Sequence, residues 1–238
     1  MKWGRAGLAG LILLAAVAAE AGPVPREAAE AAEIVARMTT AYEKVAGYQT
    51  ATETSEYRND RIVATRRFRY SFHKPDRLRI DMETPHSGMR IVFPDENGRV
   101  FVRFGGWMGF MKLRLAPDNS LFATRAGQRL DQSDFGLLIR NIGRSIGEER
   151  RGELTVREKD GRVQLEVVAT DHFLPEEVTR YCFVIDRTLW LPVAVIESTP
   201  EGRLKRTVRF RDLTIVPAFP EDFFRIDEEE TAHGQSPG

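Results

Sequence analysis

The chain lacks most of the features that would announce a chemistry. Its 238 residues include one cysteine, Cys182, so no internal disulfide can form. Set among apolar strand residues, that cysteine reads as a small buried hydrophobe. Lysine and arginine (35) balance aspartate and glutamate (35), for a formal net charge of zero. No global field therefore favours nucleic acid or an acidic polymer. There is no HExxH, P-loop or CxxC; the GxSxG spacing occurs at Gly143 to Gly147, inside a helical stretch rather than at a strand-to-helix turn, and at Gly234 to Gly238, in the polar tail. The four histidines, His73, His86, His172 and His233, have no ligand spacing among them, so neither a metal nor a cofactor is expected. Asp171 and His172 are adjacent, but neighbours on a strand face opposite ways, which argues against a dyad. Asp131, Ser133 and Asp134 are more economically a helix N-cap. These absences point away from an enzyme.

The N-terminus carries an address. Lys2 and Arg5 form a positive start, and Gly7 to Val17 an apolar run too short to span a bilayer. Ala19-Glu20-Ala21 is a small-x-small cleavage site, so a signal peptide over 1–21 is predicted, with a mature start near Gly22. The competing reading is an uncleaved anchor. No cysteine lies near the cleavage point to be lipidated. The expected compartment is extracytoplasmic, the periplasm in a bacterium.

What is present is β-structure, with apolar residues at 42% and charged residues at 29%, enough for a sizeable core. The organising stretch is Arg66 to Pro85. Phe68, Tyr70 and Phe72 alternate with Arg67, Arg69 and Ser71; Leu78, Ile80 and Met82 alternate with Arg77, Arg79, Asp81 and Glu83. That period of two gives each strand one apolar and one charged face. Pro75 places a corner at Lys74-Pro75-Asp76. Ahead of this pair, Arg26 to Val45 has helical spacing (Ile34, Met38, Tyr42, Val45) and is expected to stop at Gly47 in a left-handed cap. Tyr48 to Arg58, rich in Thr and Tyr, suits a strand with a wet face. Asn59-Asp60 is its turn. Met89 to Phe93 and the strand holding Val100, Val102 and Phe104 continue an antiparallel meander.

Phe104 to Leu115 breaks the pattern. Trp107, Met108, Phe110 and Met111 cluster around Gly105, Gly106 and Gly109, as a loop tucked into the core or as the mouth of an apolar pocket. Pro117 to Leu130 is irregular, and a second helix runs from Phe135 to Ile146 with Phe135, Leu138, Ile139 and Ile142 on one face. Strands then return to Ile215, and Pro220 to Ile226 is a last apolar segment. The fold class is mainly β: a strongly curved antiparallel sheet or incomplete barrel of about ten or eleven strands, with an N-terminal helix and a mid-chain lid helix. The domain is expected over 26–226, with a disordered tail over 227–238.

Several segments, in order, resemble the LolA-like superfamily of periplasmic lipoprotein carriers and sensors. They are the first helix with Val45-Ala46-Gly47-Tyr48, the corner Phe72-His73-Lys74-Pro75-Asp76-Arg77-Leu78-Arg79, Glu83-Thr84-Pro85, the helix Ser133 to Asn141, Trp190-Leu191-Pro192-Val193, and Phe219 to Ile226. Leu113-Arg114-Leu115, Pro117, Gln128-Arg129-Leu130 and Leu138-Ile139 look more like a domain-of-unknown-function branch of it. The resemblance implies an unclosed β-barrel with helical lids, an apolar cavity for acyl chains and no catalytic group. In the superfamily's carriers an arginine before the corner proline holds the lid shut, and Lys74 matches that position. Lysine lacks the planar arginine fork, and the alternative is a surface lysine at a strand end.

The cavity is then expected to be lined by Phe68, Tyr70, Phe72, Leu78, Ile80, Met82, Val100, Val102 and Phe104. Its mouth and lid would involve Lys74, Trp107, Met108, Phe110, Met111, Phe135, Leu138 and Ile139. The expected role is a periplasmic carrier for lipid or lipoprotein acyl chains, monomeric, working with an inner- or outer-membrane complex. The alternative is a sensor or scaffold that binds a partner protein through the same fold.

Overall fold

The computed structural model describes residues 26–117, 119, 134–148, 153–172, 174 and 176–225. The expected signal peptide, most of the irregular segment after Pro117, Ser133 and the tail lie outside the described residues. Among the described residues, no helix is long and apolar enough to cross a membrane.

Turn chemistry sets the sheet. Asn59 and Asp60 both take positive φ (51° and 59°), the geometry of a two-residue hairpin turn, and join β1 (Gly47–Arg58) to β2 (Arg61–His73). The strand thus starts at Arg61, ahead of the alternation that begins at Arg66. After the proline corner come β3 (Arg77–Thr84), β4 (Arg90–Phe93), β5 (Val100–Arg103) and β6 (Lys112–Leu115). The second half is β7 (Thr155–Lys159), β8 (Arg162–Thr170), β9 (Val178–Asp186), β10 (Leu191–Ser198) and β11 (Leu204–Ile215). Asp160 and Gly161, at φ 51° and 71°, make the β7–β8 turn in the same way.

The eleven strands form one antiparallel sheet in the order β6-β5-β4-β3-β2-β1-β11-β10-β9-β8-β7. Each half is a meander, and the halves meet where β1 pairs with β11. The free edges are therefore β6 and β7, the two strands that flank the mid-chain insertion. To pass from one edge to the other the chain must cross the open side of the curved sheet. Helix α2 (Phe135–Gly147) lies on that crossing, and α1 (Arg26–Glu43) packs beside it. One apolar cluster joins Ala31, Ile34 and Met38 of α1 and Phe135, Ile139 and Ile142 of α2 to inward residues of both halves.

Three local expectations are corrected. Helix α1 ends at Glu43, and Gly47 is the first residue of β1 without positive φ. A Cβ there would sit 2.8 Å from the Phe72 carbonyl oxygen, 3.0 Å from that of Val216 and 2.9 Å from the Phe219 ring. Glycine is needed for close approach of three segments, not for a left-handed cap. Gly47→Ala is expected to cost about 1–2 kcal/mol from overpacking, read as a lowered urea midpoint at unchanged slope. The segment matched to a closing strand is a turn. Phe219, Phe223 and Phe224 pack with Val92 and Phe101 on the outer face, where Arg79 donates to the Phe223 carbonyl at 2.9 Å. Finally, Cys182 is half-buried rather than fully enclosed, and burial pushes its thiol up to about 11.

Candidate binding cavity

The period of two brings alternate residues of neighbouring strands to the concave face. Tyr48, Thr50, Thr52 and Thr54 come from β1, Phe68 and Tyr70 from β2, and Arg206, Val208 and Phe210 from β11. Val195 and Glu197 of β10, Phe183 of β9 and His172 complete the floor. Register aligns them in rows: Thr52 pairs with Phe68 on one side and Phe210 on the other, and Val195 lies between Val208 and Phe183. Asp134, Phe135, Leu137, Leu138 and Asn141 of the α2 region form the roof. The space between is about 290 Å³, at the lower end of ligand-pocket volumes.

The roof is pinned at both ends. At its start Asp134 accepts from the Leu137 amide (2.9 Å) and from the Tyr42 hydroxyl of α1 (2.5 Å). The Phe135 amide donates to the Tyr48 hydroxyl at 3.1 Å, satisfying one of the donors a helix N-terminus leaves open. The Phe135 ring stacks on Tyr48 (4.4 Å, 9°) and meets Phe210 edge-on (5.0 Å, 90°). A Cβ on Gly136 would lie 2.8 Å from both Asp134 Oδ2 and Tyr42 Cε1, so glycine lets that contact form. Burial raises the Tyr42 and Tyr48 hydroxyls far above their ordinary value, keeping both protonated as donors. At the other end Ser145 Oγ lies 2.7 Å from His172 Nε2. The His172 ring stacks on Tyr181 (4.5 Å), and its amide donates to the Tyr181 hydroxyl at 2.8 Å. Burial lowers the His172 pKa to about 4, so the ring is neutral at physiological pH.

The cavity is polarised along its length. Aromatic rings crowd the end under Phe135; the other end holds Glu197 and Arg206. Arg206 Nε donates to Glu197 Oε2 at 3.0 Å and Nη2 to Oε1 at 2.5 Å. Burial raises the Glu197 carboxyl and the Arg206 guanidinium opposes the rise. A register irregularity between Glu197 and Ser198 leaves Lys205 unopposed in the ladder, and its amine reaches Asp171 (2.9 Å) and Thr179 (2.8 Å).

Of the residues expected from the sequence, Phe68, Tyr70, Phe135 and Leu138 line this cavity. Phe72, Leu78, Ile80, Val100, Val102 and Ile139 are buried in the adjoining core, and Met82 and Phe104 pack against it. Lys74 reaches the C-terminus of α1, not α2: its amine donates to the Tyr42 (2.6 Å) and Glu43 (3.1 Å) carbonyls. Tyr42 in turn donates to Asp134 at the start of the roof. Trp107 (83% exposed), Phe110 and Met111 project from the β5–β6 hairpin, with Met108 half-buried beside them. They are neither tucked into the core nor among the cavity residues. The threonine row and the Glu197–Arg206 pair were missed. The signals were present: Thr50, Thr52 and Thr54 alternate, and a turn at Glu201-Gly202 sets Glu197 opposite Arg206.

Ser145 and His172 superficially suggest a nucleophile and base. Ser145 is 1% exposed within a helix, and Asp171 accepts from Lys205 at 2.9 Å. Among the described residues, no group of three or more His, Cys, Asp or Glu could hold a metal ion.

No family model and no curated protein matches the chain. Solved structures do. In the complex of MucA and MucB from Pseudomonas aeruginosa, one chain aligns at 14% identity and TM-score 0.50, over 83% of this chain and 61% of that one. An uncharacterized conserved protein from Thermus thermophilus aligns at 10% identity and TM-score 0.48, over 84% and 96%. A LolA superfamily protein from Nitrosomonas europaea aligns at 11% identity and TM-score 0.38, over 82% and 96%. At such identities the likeness is one of fold alone: the chain shares the fold of its match in the MucA/MucB complex, here an unclosed antiparallel sheet with a helix across its opening.

Proposed function

We propose that this chain is a periplasmic carrier that holds an acyl chain of a lipid or lipidated protein between the curved sheet and α2. The observation that carries the reading is a cavity bounded by aromatic rings and roofed by a helix hydrogen-bonded near both ends. An exposed acyl chain costs about 0.8 kcal/mol per CH₂ in water, so a lipid crossing an aqueous compartment needs an apolar shelter. Transfer from bilayer to such a cavity is nearly neutral, and no catalytic group is required. The acyl chain lies against Phe68, Tyr70, Phe135 and Leu138. Lifting the roof would extend the site toward Phe72, Leu78, Ile80 and the packed side chains of Met82 and Phe104. The test is solvent extraction of protein purified from a native-like envelope, with mass spectrometry of the extract. A defined acyl species at near-equimolar yield is expected; a repeated blank would overturn the reading.

A second reading, docking of a partner protein, is favoured by the exposed Trp107, Phe110 and Met111 at one hairpin. The MucA/MucB complex is a precedent for a protein partner on this fold. A photo-crosslinker at position 107 that gives a stoichiometric adduct with one envelope protein, with no acyl species extracted, would move the assignment to it.

A further inference from the structure

We infer that the cavity selects acyl ligands whose polar end is an uncharged carbonyl, an ester or amide, over carboxylate or phosphate anions, with Thr52 donating the hydrogen bond. This rests on the carrier reading and names the ligand class for it. Among the described residues, the charged groups lining the cavity are Asp134, Glu197 and Arg206. Arg206 turns its fork onto both oxygens of Glu197, whose side chain is 7% exposed, so the two cancel. Asp134 remains, held by Tyr42 and the Leu137 amide, and His172 faces the space as a neutral ring. The net charge at the site is therefore negative. An anion entering it loses hydration and meets Asp134 without a free cation in return, whereas a neutral carbonyl loses far less.

An unmet donor lies in the same wall. Thr52 is 5% exposed, and its Oγ1 has no hydrogen-bond partner. It stands between Phe68 and Phe210 in the cross-strand row, where an unmet hydroxyl is costly. Thr50, one step along the same face, is already committed: its hydroxyl donates to the Arg211 carbonyl at 2.8 Å. A ligand carbonyl over Thr52 would satisfy its open donor and leave the acyl chain running under Phe135.

The test is displacement of the neutral fluorophore N-phenyl-1-naphthylamine from the mature protein by monolaurin and by laurate, both below their micelle thresholds. Equal chain length isolates the polar end. Near neutral pH laurate is ionised, and monolaurin is expected to bind at least about tenfold tighter. Thr52→Val, which keeps the shape, should weaken monolaurin by roughly threefold to tenfold relative to the fluorophore. Glu197→Gln removes one negative charge from the cavity and should shift the preference toward laurate. Laurate binding as well as monolaurin to the wild-type chain overturns the inference, and an unchanged Thr52→Val protein removes Thr52 from it. Should Glu197→Gln fail to fold, those two comparisons still decide. If neither probe displaces the fluorophore, the carrier reading itself falls.

Discussion

Replacing Tyr48 with alanine is expected to destabilise the protein by about 3–5 kcal/mol, the range for removing a large buried aromatic ring. Tyr48 is 1% exposed at the junction of the two half-sheets, next to the start of the roof helix. Its ring lies 4.4 Å from Phe135, 5.5 Å from Phe72 and 5.9 Å from Tyr70, so truncation removes contacts to three rings at once. The hydroxyl adds a separable effect. Tyr48→Phe keeps the ring but leaves the Phe135 amide, in a residue 3% exposed, without its acceptor. That costs about 1–2 kcal/mol and should speed amide exchange in the first turn of α2 without touching the sheet. Urea midpoints of the two variants separate the effects. A Tyr48→Ala protein within about 1 kcal/mol of wild type would mean that the roof is not anchored there.

Much of the sheet is legible in the sequence because its signals are local. Alternation in Phe68-Tyr70-Phe72 and Leu78-Ile80-Met82 needs only the pleat, and Asn59-Asp60 and Asp160-Gly161 carry their turns in their own φ preferences. The site is less legible because its position depends on which part of the concave face the α2 crossing covers. That is fixed by the separation of edges β6 and β7, which no local pattern records. The expected cavity was centred on β2, β3 and β5; the described cavity centres on β1, β11 and α2, sharing Phe68 and Tyr70. Thr50, Thr52 and Thr54 read as a wet face because threonine looks the same in sequence whether it meets water or lines a cleft. The β5–β6 hairpin misleads for the opposite reason. Trp107 and Phe110 read in sequence as a core loop or a pocket mouth, and they project into solvent.

Lowering the pH from 6.5 to 4 is expected to remove about 2–3 kcal/mol of stability through His172, a figure that allows for its partial exposure. The folded ring resists protonation down to about 4, whereas in the unfolded chain it titrates near 6.5. The unfolded state therefore binds the extra proton first. The histidine's stabilisation is complete above 6.5 and drains away as pH falls toward 4. Two carboxylates bound the comparison. Asp81, also desolvated but held below its ordinary 3.8 by Arg79 and Arg90, loses its contribution only beneath this window. Glu197, raised above 4.5 by burial against the pull of Arg206, works in the opposite sense and gains stability as it takes up a proton. The difference between wild type and His172→Phe isolates the histidine. Phenylalanine can keep the stack on Tyr181 but does not titrate, so the two stability curves should converge as pH falls from 6.5 to 4. Parallel curves would show that His172 is accessible enough to titrate normally. Convergence has a structural consequence, because protonation puts a desolvated positive charge at the Ser145–His172 contact, drawn by Asp171 and Glu148 but opposed by Arg144 and Arg206. The same acid that destabilises the fold thus loosens the roof at its C-terminal end. Amide exchange should accordingly rise around Ser145 before it rises around Leu137.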